Sequence, residues 1–421
     1  MGRGAAGDSP WTGREAGIRE VCSWSVALVV TWTALAALGY GARDPDSRLY
    51  AEIAARTAAA PFSRWIAPAF PPGWYMRGAF REHPVGLFVP PAILARLGYP
   101  APQAAYAMNV VYQILALVLA VRLAATIVAG TEARALGWAL QLIPIAFTFR
   151  IRANHEAAVL LCLLAALLGV ERARSRAWWS ILTALGLVGL LLVKGLLAAF
   201  GPALCALWLL ARRLTASRPA ASDRAAWVGL ALSVAAMGLA AGLYEWLHRL
   251  ATGEPFWLPY STRQLGVAAV ADSGARLARG AYNLVWYLGR VLWFPFPWSL
   301  TLLAAAWHLR ASRGSAADPA RSQAEPGTRA GALFVVLTVA LYVGVFSLSD
   351  RRADRYIFPA YYAVAAAGAV TALRASPRFR GVAVRLDRFW VPAVVLVATF
   401  LLHLAGGYIG IPTIKVWAPD S

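Results

Sequence analysis

Charge is scarce in this chain, and acid scarcest of all. Only 14% of its 421 residues are charged, against about 25% in an ordinary soluble domain. Cysteine is nearly missing too. Cys22, Cys162 and Cys205 sit inside apolar runs without metal-ligand spacing, which excludes a disulfide framework or a zinc ribbon and leaves them as small buried hydrophobes. No His-x-x-x-His or comparable spacing marks a metal centre, so the sequence demands neither a divalent metal nor an organic cofactor. No internal repeat is visible, which weighs against a transporter assembled from repeated halves. A cleavable signal is lacking as well. Residues 1–20 are polar and mixed in charge, and the first apolar run has no clear cleavage site, so that run is expected to stay as an anchor.

What fills the chain instead is apolar: 60% of its residues are hydrophobic, above the about 45–50% of soluble proteins. Apolar runs of roughly 17–25 residues recur, the length that crosses a bilayer as a helix. The expected fold class is therefore all-α and polytopic, one transmembrane domain over 1–421. Its about eleven spans lie near 22–40, 104–127, 134–149, 155–171, 177–193, 195–211, 226–246, 292–309, 331–348, 356–373 and 389–409.

The 40 Lys and Arg outnumber 20 Asp and Glu, a balance that in a soluble chain would suggest nucleic acid. Here the arginines gather between spans: Arg172, Arg174 and Arg176; Arg212, Arg213, Arg218 and Arg224; Arg310, Arg313, Arg321 and Arg329; Arg374, Arg378, Arg380, Arg385 and Arg388. That is how cytoplasmic loops are marked, so nucleic acid is rejected as a partner and the protein is placed in the plasma membrane. The 311–330 loop, rich in Ala, Ser, Pro and charge, reads as a flexible connector.

With the N-terminus inside, 41–103, 247–291 and the short turn 349–355 fall on the outer face. The first of these holds two helical patterns. In one, Asp46 stands where an N-cap would, followed by Leu49, Ile53 and Ala60. The other runs from Pro84 to about Leu97, and the Pro- and aromatic-rich stretch between them reads as an ordered surface loop. The second segment carries Trp257, Tyr260, Trp286 and Tyr287 with Arg263, Arg276, Arg279 and Arg290, the composition of an amphipathic element lying on a membrane.

Chemistry-bearing groups cluster on that same face. Asp46 can be a cap or a base. Asp44 is most simply a turn residue before Pro45. Glu156, at the mouth of the fourth span, either pairs with Arg152 or faces the same cavity as Asp46. Lys194 interrupts an apolar run, as a snorkelling lysine or as part of an anion site. Arg355 opens the tenth span in the same way, and His83 follows Glu82. Acids and cations together outside a bilayer suit transfer from a phosphate-bearing lipid, with an acid taking the acceptor proton and cations neutralising the departing phosphate.

The run from Pro45 to Ile53 resembles the first-loop motif of the polyprenyl-phosphate-dependent glycosyltransferases of the GT-C fold, the aminoarabinose transferases of lipid A and, further off, the protein O-mannosyltransferases. Glu82-His83-Pro84, Val193-Lys194-Gly195, Phe296-Pro297-Trp298 and the Arg355-Tyr356-x-x-Pro359 pattern are similar to their later elements, in order. The resemblance implies a GT-C bundle with amphipathic helices in the first external loop, and no cofactor beyond the lipid-linked sugar itself. It implies Asp46 as catalytic base with Glu156 as second acid, and Lys194, Arg355 and His83 at the phosphate. Tyr50 and Arg152 complete the substrate-binding candidates. Ser47 stands where an acid often follows the aspartate, and His83 replaces a lysine, so phosphate there would be held more weakly or with pH dependence. The expected partners are a polyprenyl-phosphate sugar, a lipid, glycan or protein acceptor, and membrane lipids. A lipid-linked sugar flippase using the same anion site is the alternative.

Overall fold

The computed structural model describes residues 25–31 and 44–381, apart from 75, 77, 129, 151, 217–221, 266–272, 312–325, 350–351, 377 and 380. The last span expected at 389–409, most of the first, and most of the 311–330 connector lie outside the described residues. Those that are described form a helical bundle without a β-strand. The helices are α1 Pro45–Ala59, α2 Val89–Arg96, α3 Ala101–Ala124, α4 Gly130–Ala139, α5 Pro144–Arg150, α6 Glu156–Ala173, α7 Ser180–Lys194, α8 Phe200–Thr215, α9 Ser222–Thr252, α10 Trp257–Leu265, α11 Ser273–Trp293, α12 Trp298–Ala311, α13 Pro326–Ser347 and α14 Phe358–Ala375.

Four helical stretches among them are long and apolar enough to cross a membrane: Ala101–Ala124, Ala177–Thr215, Asp223–Thr252 and Gly327–Ser347. The protein is thus a multi-pass membrane protein. The stretch Ala177–Thr215 holds two of the expected spans. Gly201 packs on the Leu187 and Leu190 side chains, which a straight helix would place far down the axis, so the chain reverses. The reversal is at Lys194-Gly195, where Gly195 takes φ +62°, a left-handed value that other residues adopt at a cost. One expected span is corrected. Residues 134–149 are not a single helix but α4 and α5, because Pro144 cannot donate within a continuing helix and opens a new one instead.

Packing between α6 and α7 is close enough to exclude side chains. A Cβ at Gly186 would lie 2.6 Å from the backbone nitrogen of Ala166, the small-residue contact by which membrane helices approach without a hydrophobic driving force. At one end of the bundle the basic segments converge on buried acids. Glu171 accepts from Trp208 Nε1 at 2.9 Å, from Arg212 at 2.8 Å and from Arg174 at 3.2 Å. Arg174 also reaches Asp223 at 2.8 Å, and Arg374 meets Glu132 at 3.2 Å.

At the other end, α1 and α2 lie across the bundle. Arg96, in the last turn of α2, donates to the orphan carbonyls of Ala58 and Ala60 at 2.8 and 2.5 Å while stacking on Phe62. Between the two helices the loop folds back on itself, Phe80 N–H donating to Pro68 at 2.7 Å and Phe70 N–H to Gly78 at 2.9 Å.

Candidate active site

The start of α1 corrects the cap assignment. Asp44, not Asp46, is the N-cap: its carboxylate accepts from the Ser47 N–H at 3.2 Å and from the Ser47 hydroxyl. Pro45 stands at N1, where its missing N–H is not needed. Asp46 is therefore inside the first turn, near the positive end of the helix dipole, with its carboxylate free to leave the helix axis. It pairs with Arg355, 309 residues away in sequence. That pair is the most open part of the cluster, with Asp46 37% and Arg355 32% exposed at the side chain.

Ser47 has a second task. Its oxygen accepts from the Ala153 N–H at 3.0 Å, and Arg152 Nε lies 3.7 Å from Asp44. The cap of α1 is thus docked on the chain segment that starts α6. A carboxylate at position 47 could not donate to Asp44 in this way. Arg152 partners Asp44 rather than Glu156, so it braces the cap instead of capping the second acid.

Behind the open pair lies a buried polar group. Tyr50, Asn154, His155, Glu156 and Lys194 are each at most 9% exposed. The Lys194 ammonium contacts His155 Nε2, and Glu156 Oε1 is 3.9 Å from the same nitrogen. The His83 ring stands edge-on to His155 at 5.0 Å and to Tyr50 at 6.2 Å. Burial, with Lys194 and Arg355 facing it, pushes the His83 imidazole well below its ordinary value. His83 is accordingly a neutral donor or acceptor here, not a cation. Tyr50 is held protonated, raised by burial and then by Asp46. Burial disfavours the charge on Arg355, but Asp46 and Glu156 more than offset it, so the guanidinium stays charged.

Several buried polar atoms in this group have no partner: His83 Nδ1, His155 Nδ1, Asn154 Nδ2 and Glu156 Oε1. Buried polar atoms are nearly always satisfied, so four such atoms together mark a place for something polar. Two cavities adjoin the cluster as a whole. A cavity of about 20 Å³ is lined by both Lys194 and Arg355, with Phe200, Tyr342 and Tyr356 opposite. A larger one of about 300 Å³ runs between the helices, walled by leucine, alanine and valine from α3, α6 and α14. Glu156 and Arg150 line that larger cavity, so Glu156 belongs both to the polar cluster and to an apolar chamber.

The structure therefore joins Asp46, Tyr50, His83, Glu156, Lys194 and Arg355, and sets Arg152 behind them. Sequence reasoning passed over His155 and Asn154, and noted Ser47 only as a departure from the motif it resembles. The three polar residues Asn154-His155-Glu156 at a helix start were the available signal. Among the described residues no three His, Cys, Asp or Glu side chains are grouped to hold a metal ion. The side chain of His308, and all of His403, lie outside the described residues.

No protein-family model matches the chain, and no curated protein matches it by sequence. Solved structures do. ArnT from Cupriavidus metallidurans bound to undecaprenyl phosphate aligns over 97% of this chain and 75% of its own, with TM-score 0.61 at 17% identity. The apo state of the same protein aligns over 93% and 74%, with TM-score 0.57 at 16% identity. At such identity the likeness speaks for the backbone alone, and over nearly the whole length the fold of this membrane protein is the GT-C fold.

Proposed function

We propose that the protein is a membrane glycosyltransferase that moves a sugar from a polyprenyl-phosphate donor to an acceptor hydroxyl or amine, with inversion, on the outer (periplasmic or extracellular) face of the plasma membrane. One observation carries this reading: Glu156 of the polar cluster lines a largely apolar cavity of about 300 Å³, while the two cations of the same cluster line a second, smaller one. An amphiphile with an anionic head and a hydrocarbon tail fits that division, and the neighbour of similar fold was solved with undecaprenyl phosphate.

The chemistry follows from the placement. Lys194 and Arg355 bind the phosphate and neutralise it as it departs. Asp46 takes the proton from the acceptor, whose oxygen or nitrogen forms the new bond to the anomeric carbon as the bond from that carbon to phosphate oxygen breaks. Polyprenyl phosphate leaves with the electron pair. Arg355 pairs with Asp46, and an incoming phosphate competes for that guanidinium and so releases the base. Glu156 orients the acceptor from the buried side. The arginine-rich end of the bundle, where Arg174, Arg212 and Arg374 gather, supports placing the site on the opposite, outer side.

The test is mass spectrometry of envelope lipids and glycans from cells with and without the gene, complemented by wild type or by Asp46→Asn. A mass shift equal to one sugar, restored by wild type only, is expected and gives the sugar and acceptor together. No lost species, or full rescue by Asp46→Asn, would overturn the assignment. Movement of the lipid-linked sugar across liposomes without any product would favour a flippase instead.

A further inference from the structure

Lys194 is an unusual residue in this chain: only two of its 40 basic residues are lysines, Lys194 and Lys415. A protein that uses arginine almost everywhere else here has a compact ammonium, a point charge with three donors and no fork. Its backbone is fixed by a buried side chain of α10, because the Tyr260 hydroxyl donates to the Lys194 carbonyl at 3.1 Å and accepts from the Leu196 N–H at 3.2 Å. What holds the ammonium itself is imidazole. None of the ion pairs among the described residues involves Lys194, whereas Arg355, across the same small cavity, is paired with Asp46.

We propose that His155 is a positioning residue for the donor site, holding the Lys194 ammonium through a lone pair and so fixing it without cancelling its charge. This rests on the reading above that Lys194 meets the lipid phosphate. An ammonium can only donate, so the nitrogen facing it, Nε2, carries the lone pair, and the ring proton is on Nδ1. That Nδ1–H is buried and unpartnered. The ring is fixed by its edge-on contact with His83 and a tilted one with Tyr50 at 6.1 Å. A carboxylate at position 155 would hold the lysine at least as firmly, but would form a buried ion pair whose positive member is already satisfied. Imidazole aims the ammonium and leaves its charge for the ligand. The neighbouring acid, Glu156, lies 3.9 Å from Nε2 and acts on the lysine's charge without pairing with it directly.

The experiment measures binding of undecaprenyl phosphate to the purified full-length protein in detergent, with undecaprenol, which lacks the phosphate, as the control. Lys194→Met is expected to weaken phosphate-lipid binding about 10–100-fold, the worth of a charged hydrogen bond, and to leave undecaprenol binding unchanged. His155→Phe keeps the ring packing, removes the lone pair, and is expected to lose as much. The double variant should lose no more than Lys194→Met alone. His155→Gln restores an acceptor near the Nε2 position and should bind close to wild type. His155→Glu should melt no lower than wild type yet lose binding as Lys194→Met does. Wild-type binding by His155→Phe, multiplying losses in the double variant, or wild-type binding by His155→Glu overturns the proposal. Should His155→Phe fail to fold, the opposed outcomes expected of the Gln and Glu variants decide it. Unchanged binding in Lys194→Met would instead sink the underlying phosphate reading.

Discussion

The two ends of the bundle treat charge in opposite ways. At one end, Glu171 takes hydrogen bonds from Trp208, Arg212 and Arg174, and Asp223 takes a further one from Arg174. Every acid there has its arginine. At the other end, Lys194 is held by a neutral ring, and His83, His155, Asn154 and Glu156 each keep a buried polar atom without a partner. A network whose acids are each paired fixes helices against one another, even with Arg212 Nε left without a partner. An unsaturated one of similar burial is costly to keep, and such local violations are the mark of functional sites. The contrast separates the half of the molecule that holds the fold from the half that awaits a ligand.

That contrast can be broken by substitution, and the largest effect belongs to the open end. Asp46→Asn should lower transfer about 10²–10⁴-fold with an unchanged melting temperature, measured on purified protein with extracted lipid-linked sugar. Glu171→Gln should do the reverse. It leaves Arg212 without its acid, beside an Arg174 that keeps Asp223, and should cost about 3 kcal/mol of stability, read as a lower melting temperature, while the fraction still folded binds undecaprenyl phosphate normally. If Glu171→Gln reduces lipid binding at full stability, the two ends are not separate in the way drawn here.

Smaller effects sharpen the picture. Asp44→Ala removes the cap and the partner of Arg152, for about 1 kcal/mol of stability, and should also slow transfer because Asp46 loses its fixed helix start. A stability loss with unaltered turnover would show that the cap only folds the helix. Arg56→Ala removes the exposed pair with Glu52 at 3.2 Å and should change stability by no more than about 0.5 kcal/mol, without touching turnover. It is the control for substitutions on α1.

The helical membrane character was legible because apolar runs of bilayer length are a one-dimensional property. The break in 134–149 was legible too, had Pro144 been weighed as a helix start. The Asp44 cap had a similar signal: proline prefers the first helical position, which makes the residue before Pro45 the cap. Asp46, Lys194 and Arg355 stood out as charges against an apolar background. Their company did not. Asp46 and Arg355 are 309 residues apart, Lys194 and His155 are 39 apart, and no local pattern encodes such meetings. His155 looked like one more polar residue at a helix start until the fold set Lys194 on it.

The hairpin between α7 and α8 has a consequence for descent. A side chain at position 195 is refused twice, by the φ of +62° and by the Tyr260 hydroxyl, which an added Cβ would approach to 2.3 Å. Shrinking Tyr260, by contrast, meets no clash, though it gives up the hydroxyl's bonds to Lys194 and Leu196. A lineage can therefore lose the tyrosine while keeping the glycine, but the opposite order passes through a damaged intermediate. Among related sequences, glycine at this position should be found both with and without the tyrosine, and any other residue there only where the tyrosine has already gone.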